Sequence, residues 1–207
     1  MENRSVSERS TARLWFDPVC PWCWITYQWL REVERHGKAR VTLSLMSLAY
    51  LNEGRPDVPD RYKAPQAKSL QLGRVLAAAE HHYGPDVLAP MYDTIGHYMH
   101  VTGGRDFLEV SIAALSAAGI SAALASADSD DSYDEQLRAS TSAMIANSGP
   151  DAGTPVVEVN SQTFFGPVLS RIPRGQEAIE LFGALTIFSQ YSYFYELKRT
   201  RNEEPQP

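Results

Sequence analysis

The first 46 residues change hydrophobic pattern three times, which predicts a strand, a helix and a second strand. The apolar run at residues 13–17 stops before Pro18 and suits a buried strand. Apolar residues then recur at helical spacing from residue 24 to about 36, and Gly37 stands where such a helix would end. Residues 41–45 alternate between apolar and polar, as a half-buried strand does. The chain therefore begins β-α-β.

A different pattern occupies residues 55–149. This stretch opens with three prolines and becomes rich in Ala, Leu and Ser at long helical spacing. One helix start is predicted near Arg105-Asp106, and another at Ser132, where Glu135 completes the spacing of a capping box. We interpret the stretch as a helical insertion.

Beyond the insertion the pattern returns to strands. Residues 154–159 form a β-branched run, residues 160–161 a turn, and residues 162–166 a returning strand. An amphipathic helix is predicted from about 175 to 188, and the charged tail at 198–207 is expected to fray. The ending is therefore β-β-α.

Length and composition favour one domain. The chain has 207 residues, of which 43% are hydrophobic and 21% charged, as in an ordinary globular protein. We predict one α/β domain over residues 1–207, with a loose arm at 1–11. Its core covers about 12–54 and 150–190, and its insertion about 55–149.

Charge and hydropathy narrow the choice of partners. The net charge of −6 disfavours nucleic acid and anionic membranes as partners. The polar start of the chain lacks the apolar stretch of a signal peptide, and the Ala-rich run at 110–127 is too weakly apolar to span a bilayer. We expect a soluble, cytoplasmic protein with no nucleic-acid or membrane partner.

The chemistry is concentrated in the run Cys20-Pro21-Trp22-Cys23, at the junction of the first strand and its helix. If Cys20 is the N-cap, Pro21 falls at the first helical position, where a missing N–H costs nothing. The unpaired N–H groups and the helix dipole then stabilise a Cys20 thiolate. Cys20 would attack an electrophile or disulfide, and Cys23 would resolve the mixed disulfide.

Other roles for the cysteines are weaker. Zinc needs about four ligands, so Cys20 and Cys23 would have to recruit two distant histidines. A purely structural disulfide would close too short a loop to stabilise the fold much. Asp93, His97 and His100 share a helical face at a spacing that can hold a metal, but few other ligands stand nearby. We therefore expect no metal site.

Thr154-Pro155, just before a predicted strand, is a second candidate element. Thioredoxin-like proteins place a cis-proline loop there, beside the cysteines; the alternative is an ordinary trans proline at a strand start. In the functional interpretation the Thr154 backbone binds an incoming thiol ligand, and Pro155 packs against the disulfide.

Several runs resemble the DsbA family of thioredoxin-fold oxidoreductases, and more narrowly its mycothiol-dependent nitroreductase or mycoredoxin-like branch. The matching runs are 15–26, 46–49, 51–53, 153–155, 164–170, 172–175 and 196–201. The resemblance implies a thioredoxin fold with a helical insertion. It also implies Cys20 as nucleophile, Cys23 as resolving thiol, and mycothiol rather than glutathione as the electron source.

Four other side chains have two interpretations each, and Trp24 has one. Asn52 and Tyr62 match the family pattern and can hydrogen-bond a thiol or nitroaromatic ligand, or are plain loop and helix positions. Trp22 either stacks on an aromatic substrate or covers the disulfide, and Trp24 is expected in the core. Asp17 either shuttles a proton or caps a loop. The candidates for contact with thiol or substrate are Pro21, Trp22, Asn52, Tyr62, Thr154 and Pro155.

The sequence therefore predicts a cytoplasmic thiol–disulfide oxidoreductase that reduces mixed disulfides or nitroaromatic-type electrophiles. Mycothiol is its co-substrate, and we expect no tightly bound cofactor. The apolar helices of the insertion form either a homodimer interface or only the protein's own core. One alternative is a kappa-class glutathione transferase or isomerase, a branch that generally lacks paired thiols. Another is a redox-sensing holdase or binding protein.

Overall fold

Four strands form one mixed sheet in the computed structural model, which describes residues 9–56, 58–59 and 63–207. They are β1 (Ser10–Phe16), β2 (Ala39–Leu45), β3 (Val156–Val159) and β4 (Gln162–Phe165). Their order is β2-β1-β3-β4, with β1 parallel to β2 and antiparallel to β3. The helices are α1 (Pro21–Arg35), α2 (Leu48–Leu51), α3 (Lys63–Tyr83), α4 (Leu88–Gly96), α5 (Phe107–Ala117), α6 (Asp134–Ser148) and α7 (Gly175–Phe188).

The predicted β-α-β and β-β-α units are both present. Strand β1 leads through α1 to its parallel neighbour β2, with Ser10 opposite Ala39 at one end of the register. Strands β3 and β4 form an antiparallel hairpin. Its turn is the predicted Asn160-Ser161, and both residues have positive φ, at 49° and 69°. That backbone twist matches the twist of the flanking strands, so the turn sets the hairpin register.

Helices α2 to α6 lie between β2 and β3. Helices α3 to α6 fall in the predicted helical stretch, residues 55–149, whereas α2 precedes it and was not predicted. Helix α5 begins near Arg105-Asp106 as predicted, and the Asp106 side chain caps it by accepting a hydrogen bond from the Glu109 N–H at 3.0 Å. The capping box predicted at Ser132 is wrong. Helix α6 begins two residues later, because the Asp130 carboxylate caps a preceding short 3₁₀ turn by accepting from the Ser132 N–H.

A π-helical turn, His97–Val101, follows α4 and changes the direction of the side chains there. The single face predicted for Asp93, His97 and His100 therefore does not form. His97 is exposed, whereas His100 stacks against Trp24 with ring centroids 6.2 Å apart. In the part of the chain that the structure describes, no three His, Cys, Asp or Glu side chains cluster as metal ligands.

The sheet and α1 enclose the core that supports the cysteines. Trp29, fully buried, donates its indole N–H to the Ala178 carbonyl at 3.0 Å and so fixes α1 against α7. Trp24 is buried, as the sequence predicted. Among the described ranges, no helix has the length and apolar character to cross a membrane.

The frayed C-terminal tail that the charge pattern predicted is wrong. Phe194 stacks on Phe188 with ring centroids 4.5 Å apart. Close to the last residue, the Gln206 N–H donates to the Ser170 carbonyl at 2.7 Å. The predicted tail, residues 198–207, is therefore fixed near its end by Gln206, and Phe194 fixes the chain just before the tail begins. A charge pattern reveals neither contact.

Candidate active site

Cys20 is the N-cap of α1, and Pro21 is its first helical residue. The Cys20 backbone is extended, with φ −76° and ψ 115°, and no side chain occupies the cap hydrogen bond. Since the first N–H groups of a helix lack intrahelical partners, the positive end of α1 faces the Cys20 sulfur. Cys23 lies one turn further along and is fully buried, whereas Cys20 is 5% exposed. Both are free thiols in this structure.

The two thiols ionise very differently. A hydrogen bond from the Cys23 thiol lowers the pKa of Cys20, a further one from Thr154 also lowers it, and burial opposes both. Burial raises the pKa of Cys23 well above its usual value, and the negative charge of Cys20 adds to that rise. Cys20 is therefore the thiol that ionises first, and Cys23 stays protonated beside it.

Thr154 and Pro155 stand directly before β3, and Thr154 lies beside Cys20. The Thr154 hydroxyl lies 3.2 Å from the Cys20 sulfur. The peptide bond between Thr154 and Pro155 is cis, which is the thioredoxin-like one of the two alternatives that the sequence left open. The Pro155 carbonyl accepts from the Gly166 N–H at 2.8 Å, which fixes this loop to the end of β4. The motif and the proline loop thus meet although 134 residues separate Cys20 from Thr154.

Asp17 lies fully buried beneath the motif. Its carboxylate accepts hydrogen bonds from the Val19 N–H at 3.0 Å, from the Leu48 N–H at 2.8 Å and from the Ser69 hydroxyl. Burial raises the pKa of Asp17 and these hydrogen bonds oppose the rise. The carboxylate caps the loop before α1, one of the two roles predicted for it, and also connects that loop to α2 and α3. The role in proton transfer stays a prediction.

Of the other four candidate contacts, the structure describes Pro21, Trp22 and Asn52. Trp22 is half-buried, and the Arg201 guanidinium carbon lies 5.4 Å from its ring centroid. Asn52 is the half-buried C-cap of α2. Pro21, at the first turn of α1, is also half-buried. Tyr62 lies outside the described residues.

Three neighbours of the motif were not predicted as site residues: Ser69, Arg201 and Tyr92. Tyr92, on α4, is fully buried and stacks on Phe16 with ring centroids 4.1 Å apart. Burial raises the pKa of Tyr92, and the charges of Cys23 and Cys20 add to the rise. Ser69 and Tyr92 lie in no hydrophobic period or matching run that marks them as site residues. Arg201 lies in the matching run 196–201, but the run does not say what Arg201 contacts, since each of the three reaches the site through a tertiary contact.

Replacing Thr154 by valine should raise the pKa of Cys20, because the change removes a hydrogen bond to the thiolate and keeps the side-chain shape. We expect the pH midpoint of Cys20 alkylation to move up by about half a pH unit to one unit. The measurement is the alkylation rate of the reduced protein against pH, by peptide mass. Thr163→Val, on β4, is the control and should leave the midpoint unchanged. An unaltered midpoint in the Thr154 variant would contradict the hydrogen bond's role.

Comparison with solved structures shows the fold. The chain superposes on 2-hydroxychromene-2-carboxylate isomerase with a TM-score of 0.58 at 16% identity, covering 87% of this chain and 95% of that one. It superposes on the thiol-disulfide exchange protein alpha-DsbA2 from Wolbachia pipientis with a TM-score of 0.51 at 15% identity, covering 89% and 83%. For the cytosolic disulfide reductase DsbM from Pseudomonas aeruginosa, solved with GSH, the values are 0.51, 18%, 74% and 87%. The predicted DsbA-like thioredoxin fold is confirmed.

Sequence comparison shows the family to which the chain belongs. Uncharacterized protein Rv2286c from Mycobacterium tuberculosis (strain ATCC 25618 / H37Rv) is 27% identical over 197 residues, which cover 93% of this chain and 83% of the relative. The family model described as "Rv2466c-like: Mycothiol-dependent nitroreductase Rv2466c" matches residues 19–199, which include both cysteines and the proline loop. This chain therefore belongs to the Rv2466c-like family of mycothiol-dependent nitroreductases and is an oxidoreductase.

Proposed function

We propose that the protein is a cytoplasmic, mycothiol-dependent thiol–disulfide oxidoreductase, which reduces mixed disulfides or nitroaromatic-type electrophiles through Cys20 and Cys23. The observation that carries the proposal is the asymmetry of the two thiols. Cys20 has a lowered pKa at the helix N-terminus, and Cys23 is buried with a raised pKa one turn away. A nucleophile that is ionised first, beside a thiol held in reserve, is the arrangement that two-step disulfide exchange requires.

The proposed reaction moves two electrons in two exchanges. The Cys20 thiolate attacks one sulfur of a mixed disulfide, forms a new bond to it and releases the other sulfur as a thiolate. Cys23 then transfers its proton to a leaving thiolate and attacks the Cys20 sulfur. That step closes the Cys20–Cys23 disulfide and frees the second thiol. Two mycothiol molecules reopen the disulfide by the same exchanges and leave as mycothiol disulfide. With a nitroaromatic, the dithiol supplies the same two electrons and two protons.

Three groups near Cys20 would position the incoming sulfur. In this proposal it lies against Pro155 and hydrogen-bonds the Thr154 backbone, while Trp22 supplies an aromatic face. Pro21, Asn52 and Tyr62 are the further proposed contacts. The 3.2 Å approach of Thr154 to the Cys20 sulfur supports this assignment, because it brings the proline loop to the nucleophile.

Trapping the first intermediate tests both the mechanism and the thiol partner. In Cys23→Ser, the mixed disulfide on Cys20 has no resolving thiol and should accumulate. We expect a prompt adduct of one mycothiol per chain after incubation with mycothiol disulfide, read as intact mass. Glutathione disulfide is the competing thiol source, since the DsbM neighbour was solved with GSH. Cys20→Ser is the matched control and should gain no adduct.

Each other result has a distinct meaning. Equal adducts from both disulfides would contradict mycothiol dependence and leave the oxidoreductase in place. No adduct from either would contradict the oxidoreductase mechanism and favour the holdase or binding alternative. The isomerase alternative requires glutathione-dependent turnover of a substrate that undergoes no net oxidation or reduction. The homodimer stays a prediction, to be tested by sedimentation.

A further inference from the structure

The chain after α7 forms a strap, residues 189–207, that returns towards the cysteine motif. Its first part is fixed where Phe194 stacks on Phe188, with the two rings only 11° from parallel. Its last part is fixed where Gln206 donates to the Ser170 carbonyl, and the Ser170 hydroxyl donates to the Glu203 carboxylate. Two separate attachments determine the course of the segment between them.

The second attachment lies beside the helix that carries the cysteines. Ser170 follows the segment containing Pro167, whose carbonyl accepts from the Thr26 hydroxyl at 3.0 Å. Thr26 is on α1, one turn after Cys23. The end of the strap is therefore fixed, through a short stretch of chain, to the first turns of α1.

Between the attachments, the strap brings Arg201 to Trp22. The guanidinium carbon lies 5.4 Å from the centroid of the Trp22 ring, a cation–π distance. Trp22 stands between Cys20 and Cys23, so this positive charge is at the edge of the reacting motif. Arg201 is exposed, and within the described ranges no carboxylate oxygen lies within 4.0 Å of its guanidinium.

An aromatic contact does not by itself leave an arginine free for a ligand. Arg138 lies over the Tyr50 ring at 3.8 Å, but its guanidinium also pairs with the Glu53 carboxylate through two hydrogen bonds. Its charge is already matched within the protein. Arg201 has the aromatic contact without such a partner among the described residues.

In the proposed reaction, a cation beside Trp22 helps an anionic disulfide to approach Cys20. The Cys20 thiolate is negative, and the whole protein carries a net charge of −6. A disulfide with a carboxylate near its sulfur atoms is therefore repelled as it approaches Cys20. A guanidinium at the motif offsets this repulsion and can donate two parallel N–H groups to a carboxylate.

We propose that Arg201 is a specificity-determining residue that favours disulfide substrates carrying a carboxylate beside the sulfur that Cys20 attacks. Mycothiol has no carboxylate, so Arg201 selects among the substrates and does not select the thiol co-substrate. This inference rests on the proposed function, because it concerns the approach of a disulfide to the Cys20 thiolate. In the selected step, Cys20 bonds to one sulfur of the disulfide and the other sulfur leaves as a thiolate. Arg201 exchanges no proton or electron.

Two probe disulfides separate charge recognition from general reactivity. Dithiobis(nitrobenzoate) carries two carboxylates, and dithiodipyridine is neutral at the pH of the assay. We expect Arg201→Gln to slow the Cys20-dependent reaction of the reduced protein with the anionic probe about fivefold, the size of a partly exposed ion pair. The neutral probe should change less than about twofold, because it gains nothing from the cation. Arg201→Lys should recover part of the lost rate. The readout is the rate of chromophore release in stopped flow.

Arg199→Gln is the matched control, since it removes an exposed cation two positions away on the same strap. It should leave the ratio of the anionic-probe rate to the neutral-probe rate unchanged. Higher salt should lower this ratio in the wild type more than in Arg201→Gln, because salt screens the charge of Arg201. Equal slowing with both probes, or an unchanged ratio in Arg201→Gln, would overturn the role of Arg201 alone. A wild-type protein that reacts no faster than Cys20→Ser with either probe would contradict the proposed function itself.

Discussion

Replacing Cys20 by serine should abolish disulfide reduction, with turnover lower by at least roughly a thousandfold. A serine hydroxyl is not ionised at neutral pH, so the helix N-terminus and Thr154 would have no thiolate to stabilise. The measurement is the steady-state release of the substrate's own thiol from a mixed disulfide, separated from mycothiol by chromatography, because the total of free thiol stays constant when mycothiol is the reductant. Wild-type turnover in Cys20→Ser would contradict the mechanism.

Cys23→Ser is the companion variant to Cys20→Ser. It separates the attack of Cys20 on the substrate disulfide from the later attack of Cys23 on the mixed disulfide. It keeps the nucleophile, so the first exchange should proceed with a stoichiometry of one adduct per chain. Closure of the disulfide should fail, because no second thiol can attack the Cys20 sulfur. A Cys23 variant that turned over as the wild type does would show that external thiol alone resolves the intermediate, contrary to the proposed use of Cys23.

The largest effect on stability is expected from Gly96→Ala, at the end of α4. A Cβ atom there would lie 2.0 Å from a carbon of the Trp24 ring, which is 4% exposed and enclosed by other aromatic rings. The backbone of Gly96 is helical, with φ −66°, so the cost comes from the ring contact and not from the backbone. Because overpacking a core forces neighbours out of position, we expect a loss of about 3 kcal/mol in the free energy of unfolding. Urea denaturation measures it.

Gly183→Ala is the matched control for this change. Gly183 also lies in a helix, α7, but a Cβ added there meets no atom within 4 Å. Alanine should therefore stabilise the protein by about 0.5–1 kcal/mol, as it does in an open helix interior. Equal effects at the two glycines would contradict the close packing of α4 on Trp24. Since Trp24 follows Cys23, the Gly96 variant should also disturb Cys23, which alkylation of the reduced protein would report.

The parts of the fold that sequence could predict are those determined by neighbours along the chain. Pro21 fixed the start of α1, and with it the N-cap position of Cys20, because proline fits only the first turn of a helix. Asn160-Ser161 fixed the hairpin turn, because few residues adopt positive φ. The position of Thr154-Pro155 before a strand was also local information, although its meaning came from the family resemblance.

The contacts that sequence could not predict join residues far apart in the chain. Ser69 reaches Asp17 across 52 positions, and Arg201 reaches Trp22 from the other end of the chain. The hydrophobic pattern places each residue on an element, but it does not say which polar groups of two packed elements meet. The sequence pattern also could not predict the π-helical turn after α4, because one extra residue in a turn leaves no mark in a helical period.

The short spacing of Cys20 and Cys23 has a thermodynamic consequence. A disulfide across two intervening residues removes little entropy from the unfolded chain, so oxidation changes folding stability mainly through the folded state. The hydrogen bonds that stabilise the Cys20 thiolate act only in the reduced protein. They therefore stabilise the folded protein in its reduced form. Each 1.4 kcal/mol of that stabilisation also raises the reduction potential of the Cys20–Cys23 couple by about 30 mV. In a cell whose thiol pool is reducing, such a protein rests as the dithiol, ready for the next electrophile.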